Sequence, residues 1–193
     1  MTTDHSSGWE AVSEQFIAVR SQVGTALVRN WAKDRLPPSA AILDVGCGSG
    51  VPIAQALVND GFSVWGVDAS PSLISAYRFN LPDMPAVCEP AQDSSFFDRT
   101  FIGVVSIGLI FLLGEDDQRK LLTRVANVLE PAGRFLFSAP CEVCRWNDTL
   151  TGRASMSLGV NAYAAHLTGA GLRLDDCRYD EGGNNYYDAV KPI

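Results

Sequence analysis

Apolar side chains fall at helical intervals along the first part of the chain. Trp9, Val12, Phe16, Val19, Val23, Leu27 and Trp31 recur at steps of three and four, one stripe of an amphipathic helix. Pro37-Pro38 ends it. The spacing therefore predicts a loose tail over residues 1–8, a helical lid over 9–36 and a core over 40–193. In the core the pattern switches to short apolar runs. Ala40 to Val45 stops at a glycine loop and reads as a buried strand. Pro52 opens a helix to about Asn59, which Gly61 closes. Phe62 to Val67 is a second strand. Ser70 as cap and Pro71 behind it start a helix to about Phe79, and a short third strand lies near Ala86 to Cys88.

Phe101 to Ile107 predicts a fourth strand. Glu115, Asp116 and Asp117 suit the positive end of the next helix. Leu121, Leu122, Val125, Val128 and Leu129 form its inner face. Pro131 and Gly133 close it before a fifth strand, Arg134 to Ala139. Residues 140–157 read as irregular and polar. A helix over about Leu158 to Thr168 leads into strands Leu172 to Tyr179 and Asn185 to Val190. The few residues around Gly182-Gly183 permit only an antiparallel hairpin, because a parallel crossover needs a dozen residues or more. Strands alternating with helices give an α/β fold, a mostly parallel sheet with helices on both faces, in a single domain over 1–193.

Composition narrows the partners. The chain has 193 residues, 47% hydrophobic and 19% charged, enough for one core. A formal net charge of −7 with scattered Arg and Lys argues against nucleic acid. The longest uncharged stretch, Thr100 to Gly114, is shorter than the ~20 residues of a membrane span, so no membrane partner is expected. MTTDHSSGWE lacks the basic start and apolar core of a signal peptide, and the five cysteines form no secreted framework. The expectation is a cytoplasmic protein of undetermined oligomeric state.

The chemistry lies around the glycines. Gly46, Gly48 and Gly50 let the backbone turn sharply and let a ligand approach. In a doubly wound sheet that loop lines the ligand crevice. Asp68, about twenty residues on, ends the second strand where a carboxylate accepts from both ribose hydroxyls of an adenosine. NAD and S-adenosylmethionine both satisfy this. Val51 stands where the dinucleotide fingerprint wants glycine, and Asp44 places a negative charge where a pyrophosphate would sit. S-adenosylmethionine brings an ammonium there instead.

The segment Leu43-Asp44-Val45-Gly46-Cys47-Gly48-Ser49-Gly50 resembles the first motif of class I S-adenosylmethionine-dependent methyltransferases, and Gly66-Val67-Asp68-Ala69-Ser70 their second. The resemblance covers nearly the whole chain from about residue 9. It implies a three-layer Rossmann-like sheet of order 3-2-1-4-5-7-6 with strand 7 antiparallel. It also implies methyl transfer, and the short lid and acidic surface point to a small-molecule acceptor with an O, N, S or C nucleophile. By resemblance the cofactor meets Asp44, Gly46, Cys47, Gly48, Gly50, Asp68, Ala69 and Ser70, then Ala91 and Gln92 after strand three, and Ser106 and Ile107 at the end of strand four. Pro90 stands where many relatives carry an acid, and Ile102 replaces a frequent Asp.

Arg20 is either a solvated flank of the first helix or a donor to the methionine carboxylate. Trp146, Tyr163, Tyr186 and Tyr187 are candidate walls of an acceptor pocket. Tyr186 and Tyr187 alternate on a strand, so at most one faces it. The end of the chain resembles that of small bacterial methyltransferases with an acid and a histidine near Gly183 and Asn185. No catalytic residue stands out: His5 lies in the tail and His166 late in a helix, away from the sheet's mouth. Cys141 and Cys144 lack the partners of a zinc site, so no metal is expected. Two further readings stay open: a module that binds S-adenosylmethionine without catalysis, and an NAD-dependent oxidoreductase.

Overall fold

The structure, a computed structural model, describes residues 5–193. In chain order the strands are β1 (Ala41–Val45), β2 (Ser63–Asp68), β3 (Ala86–Cys88), β4 (Phe101–Ser106), β5 (Leu129–Ser138), β6 (Val143–Asn147), β7 (Ala154–Leu158), β8 (Arg173–Tyr179) and β9 (Asn185–Val190). Seven of them form one sheet in the order β3-β2-β1-β4-β5-β9-β8. The first five run parallel, and β9 is antiparallel to both of its neighbours. This is the predicted order, renumbered by one unforeseen hairpin. That hairpin is β6–β7, paired from Val143 with Leu158 to Asn147 with Ala154, so the segment 140–157 is not irregular. The usual pattern is inverted here, which hid the strands: Ser155 and Ser157 of β7 are buried while the apolar Val143 of β6 is exposed.

The helices are α1 (Ser13–Val19), α2 (Thr25–Arg35), α3 (Ile53–Asn59), α4 (Pro71–Asn80), α5 (Glu115–Val128) and α6 (Gly159–Gly169). They cover both faces of the sheet. Ile42, Val64, Val105 and Leu136 meet Trp31, Leu57 and Tyr77 from α2, α3 and α4. Their neighbours Leu43, Val67, Val104 and Phe135 meet Leu121, Val125 and Leu167 from α5 and α6. Burial on both faces is why the central strands read as continuous apolar runs. No helix among the described residues is long and apolar enough to cross a membrane.

The expected single N-terminal helix is broken. α1 ends at Val19, Arg20 turns extended, and Gly24, with φ of 82°, precedes α2. Only glycine fits: a Cβ at Gly24 would lie 2.0 Å from the Tyr186 hydroxyl. The apolar stripe does not run unbroken either: Val12, Phe16, Val23 and Leu27 are half-buried and Trp31 is buried, but Val19 at the end of α1 is exposed. Only part of the expected tail is described. Residues 1–4 lie outside the described residues, but Ser6 is buried and its hydroxyl accepts from the Glu10 N–H at 2.9 Å.

A buried ion pair ties the late strands together. Asp188 of β9 is fully buried and receives Arg134 Nη1 of β5 at 3.0 and 2.9 Å, with Arg35 at 3.6 Å. Arg134 also donates to Asp175 of β8. Truncating Arg134 to alanine would leave the Asp188 charge without its main partner. Arg134→Ala is expected to cost about 3 kcal/mol in urea unfolding. Removing the charge of the more exposed partner, Asp175→Asn, is expected to cost less than ~1 kcal/mol.

Candidate functional site

The crevice opens at the carboxyl ends of β1, β2 and β4, where the strand order reverses. Gly46 and Gly48 both adopt left-handed φ, 78° and 55°, in the loop from β1 to α3. The Gly46 and Cys47 N–H groups donate to Val67 O at 2.8 and 3.1 Å, which fixes the loop to the end of β2. A Cβ on Gly46 would approach Leu109 to 2.8 Å, and one on Gly48 would approach Phe16 to 3.2 Å.

Asp68 closes the loop from the other side. Its two carboxylate oxygens accept from Gly48 N at 3.0 Å and Ser70 N at 2.9 Å. Burial raises its pKa, while those N–H groups pull it down. A carboxylate has about four lone-pair positions, so acceptor capacity remains for a ligand. Asp44 has no such help. It is 3% exposed, and no hydrogen bond among the described residues reaches its carboxylate. Burial pushes its pKa up to about 7; the Arg20 guanidinium opposes this and Asp68 adds to it.

These groups surround a cavity of about 160 Å³. Of the residues expected at the cofactor, Asp44, Gly46, Cys47, Gly48, Asp68, Ala69, Ala91, Gln92, Ile107 and Arg20 line it. Three do not. Gly50 turns away, its Cβ position 2.9 Å from Tyr77 and Leu81, so its conformation serves the packing of α4. Ser70 is the predicted cap of α4, its hydroxyl accepting from Leu73 N and donating to Glu10 at 2.5 Å. Ser106 is buried within the sheet, its hydroxyl without a partner. Arg20 is no solvated flank: burial lowers its pKa, and Asp44 offsets only part of that.

The N-terminal segment, expected as a lid, lines the cavity through side chains that the sequence reading left in the apolar stripe, and the floor was not foreseen. Trp9 and Phe16 pack edge to face at 5.3 Å and cover the cavity from the N-terminal segment. His5, set aside as a tail residue, lines it too, as does Asp117 of α5. Leu109, Leu112 and Leu113 line the other side. Their signal was present: the uncharged run Thr100–Gly114 outlasts the strand it contains. Glu10 holds the roof down, accepting from Ser70 Oγ, Ser72 Oγ and Ser72 N at the N-terminus of α4.

A second, wider cleft of about 700 Å³ adjoins the first and shares Arg20, Ile107 and Gly108 with it. Trp146 and Tyr186 line it, as expected. Tyr163 and Tyr187 do not. They are buried under α6, where Tyr187 stacks on Phe137 at 4.7 Å and Tyr163 meets Phe137 edge-on at 5.4 Å. The strand alternation that separates Tyr187 from Tyr186 produces this difference. Tyr163 donates to Gln118 instead. His166 accepts from Arg119 on the exposed side of α5. Cys141 Sγ lies 3.1 Å from the Tyr179 hydroxyl, and all five cysteines are free.

Comparison with known proteins gives this geometry a setting. Residues 42–133 match the family model described as a methyltransferase domain. The putative methyltransferase YqeM of Bacillus subtilis (strain 168) is 31% identical over 112 residues, 55% of this chain and 45% of that protein. The O-methyltransferase cnsE of Penicillium expansum is 33% identical over 143 residues, 69% of this chain and 50% of that protein. The chain spans about half the length of the curated relatives it matches. The glycopeptide N-methyltransferase MtfA, solved with S-adenosyl-L-homocysteine, superposes with a TM-score of 0.73 at 20% identity, over 94% of this chain and 98% of that one.

The state of Asp44 has a measurable consequence. Its folded pKa lies above the ordinary carboxylate value, so the fold holds a proton that the unfolded chain releases as pH rises from about 4. Stability is lost through that window until Asp44 ionises near pH 7. Asp44→Asn removes the effect. In urea titrations its midpoint is expected to gain on the parent's between pH 4 and 7 and to run parallel above that.

Proposed function

We propose that this chain, a class I S-adenosylmethionine-dependent methyltransferase by fold and by its methyltransferase domain over residues 42–133, binds S-adenosylmethionine at the glycine loop and passes its methyl group to a small-molecule acceptor. The observation that carries the reading is Asp44, a buried carboxylate without a hydrogen-bond donor in the wall of the cavity. An α-ammonium supplies the missing charge and donors. A dinucleotide pyrophosphate would set like charges together there, which favours S-adenosylmethionine over NAD.

The other residues fit the same ligand. Asp68 keeps acceptor capacity for ribose hydroxyls, and Ala69 lies beside it. Ala91 and Gln92 line the cavity and would meet the adenine, with Leu109, Leu112 and Leu113 as its apolar wall. Arg20 reaches in from the roof, where its guanidinium suits the methionine carboxylate. The bound cofactor supplies an activated methyl group on a leaving group that needs no protonation. What remains for the protein is to align and to exclude water. Trp9 and Phe16 do the second. Ile107 and Gly108, shared by both cavities, mark where donor and acceptor would meet. Gly108 donates to Ser138 Oγ at 2.8 Å, and a Cβ on it would meet nothing within 4 Å, so it leaves the passage open. A cytoplasmic location belongs to the same reading, in keeping with five free cysteines.

Calorimetry with S-adenosylhomocysteine tests this. One-to-one binding is expected. Asp68→Ala is expected to weaken it about a hundredfold, by the loss of two ribose hydrogen bonds, while the protein still unfolds cooperatively. No binding to the parent protein would refute the function, and an unchanged affinity in Asp68→Ala would refute the ribose site.

A further inference from the structure

The wider cleft has a chemistry of its own. One side presents aromatic faces: Phe111 and Trp146 lie 5.4 Å apart between centroids, tilted by 45°, with Trp146 carried on β6. The far side presents Asn185 at the start of β9. Asn185 is 4% exposed, and its Nδ2 donates to Ala139 O at 3.1 Å. The Ala139 N–H answers by donating to Asn185 O, so the residue is locked to the end of β5. Its Oδ1 is buried with no partner. A buried amide oxygen without a donor carries a cost that a ligand N–H or O–H relieves. Glu142, exposed at the rim of the cleft, adds a carboxylate.

The titratable side chains that line the cleft are Arg20, Cys141, Glu142, Tyr179 and Tyr186. Tyr186 donates to Asp180, and burial raises its pKa, so it stays a phenol. An amide oxygen accepts a hydrogen bond but takes no proton at neutral pH. A hydroxyl acceptor must shed its proton as its bond to carbon forms. An amine need not: it gives its ammonium proton to water before transfer, and the neutral form that remains attacks without a base. Its lone pair forms the N–C bond while the methyl–sulfur bond breaks and that pair stays on sulfur. The product is an ammonium, which later gives its extra proton to water. Aromatic faces and a rim carboxylate stabilise the positive charge that develops on nitrogen.

We propose that this cleft binds the methyl acceptor as an amine on a flat apolar body, with the body against Trp146 and Phe111 and the amine N–H on Asn185 Oδ1. The proposal rests on the methyl-transfer reading. It makes Asn185 a substrate-orienting residue and Trp146 the anchor of the body.

The test uses two probes that differ only in the nucleophile, 2-naphthylmethylamine and 2-naphthylmethanol. Binding is read by saturation-transfer NMR on protein loaded with S-adenosylhomocysteine, and methylated product by mass spectrometry with S-adenosylmethionine. Saturation of the naphthyl protons is expected with the amine, weakened about tenfold in Trp146→Ala and restored in Trp146→Phe. N-methyl product is expected at a rate about a hundredfold above that of methyl ether. Asn185→Ala is expected to lower kcat about tenfold with S-adenosylhomocysteine affinity unchanged. Ether formation at a comparable rate, or no saturation transfer to the amine in protein that binds S-adenosylhomocysteine, overturns the proposal. Failure to bind S-adenosylhomocysteine at all brings down the methyl-transfer reading beneath it.

Discussion

A carboxylate stands at the end of the central strand with nothing in the described protein to hydrogen-bond it. Asp44 is sealed by the sheet below and the N-terminal segment above, and desolvation pushes its pKa up to about 7. A buried charge of this kind is costly unless it is met by an opposite one. Much of the surrounding structure bears on that charge. The glycines at 46 and 48 leave room for Leu109 and Phe16 in the wall of the same cavity. Arg20 is turned inward toward it by the break between α1 and α2. The roof of Trp9 and Phe16 covers the same cavity. On the proposed function, Arg20 meets this charge in part and the ammonium of the ligand would meet the rest.

The break in the N-terminal helix also joins the two cavities. Gly24 N donates to Glu181 Oε1 at 3.2 Å, and Val23 lies against Gly182, so the hinge rests on the turn between β8 and β9. The Tyr186 hydroxyl sits beneath the hinge, bonded to Asp180. At the other end of the segment, Glu10 is fastened to the N-terminus of α4, next to Asp68. One stretch of chain thus spans from the Asp68 side of the first cavity to the tip of the hairpin that walls the second. Arg20, in its middle, lines both.

Much of this was legible in the sequence because it rests on local rules. Short apolar runs gave the strands, proline and serine gave the start of α4, and the short turn at Gly182-Gly183 gave the antiparallel end. Asp44, Asp68 and the glycine loop stood out because each residue type is constrained by its own position. The rest depends on contacts distant in sequence. The break at Gly24 is set by Tyr186, more than 150 residues away, and no period in residues 9–31 reports it. Gly50 looks like its neighbours in the loop but serves the packing of α4. Tyr163 and Tyr187 share a residue type with Tyr186 and are separated from it only by the face on which they land. The β6–β7 hairpin escaped because β6 buries no residue fully and β7 places serines, Ser155 and Ser157, at buried positions, so no apolar alternation shows.

The protonation of Asp44 decides the matter most directly. Carbon-13 NMR of its side-chain carboxyl, assigned by comparison with Asp44→Asn, follows that proton across a pH titration with and without S-adenosylhomocysteine. The account predicts a midpoint near 7 in the free protein, displaced well below that when the ligand's ammonium is present. An ordinary carboxylate midpoint in the free protein, or a midpoint that the ligand leaves in place, would contradict it.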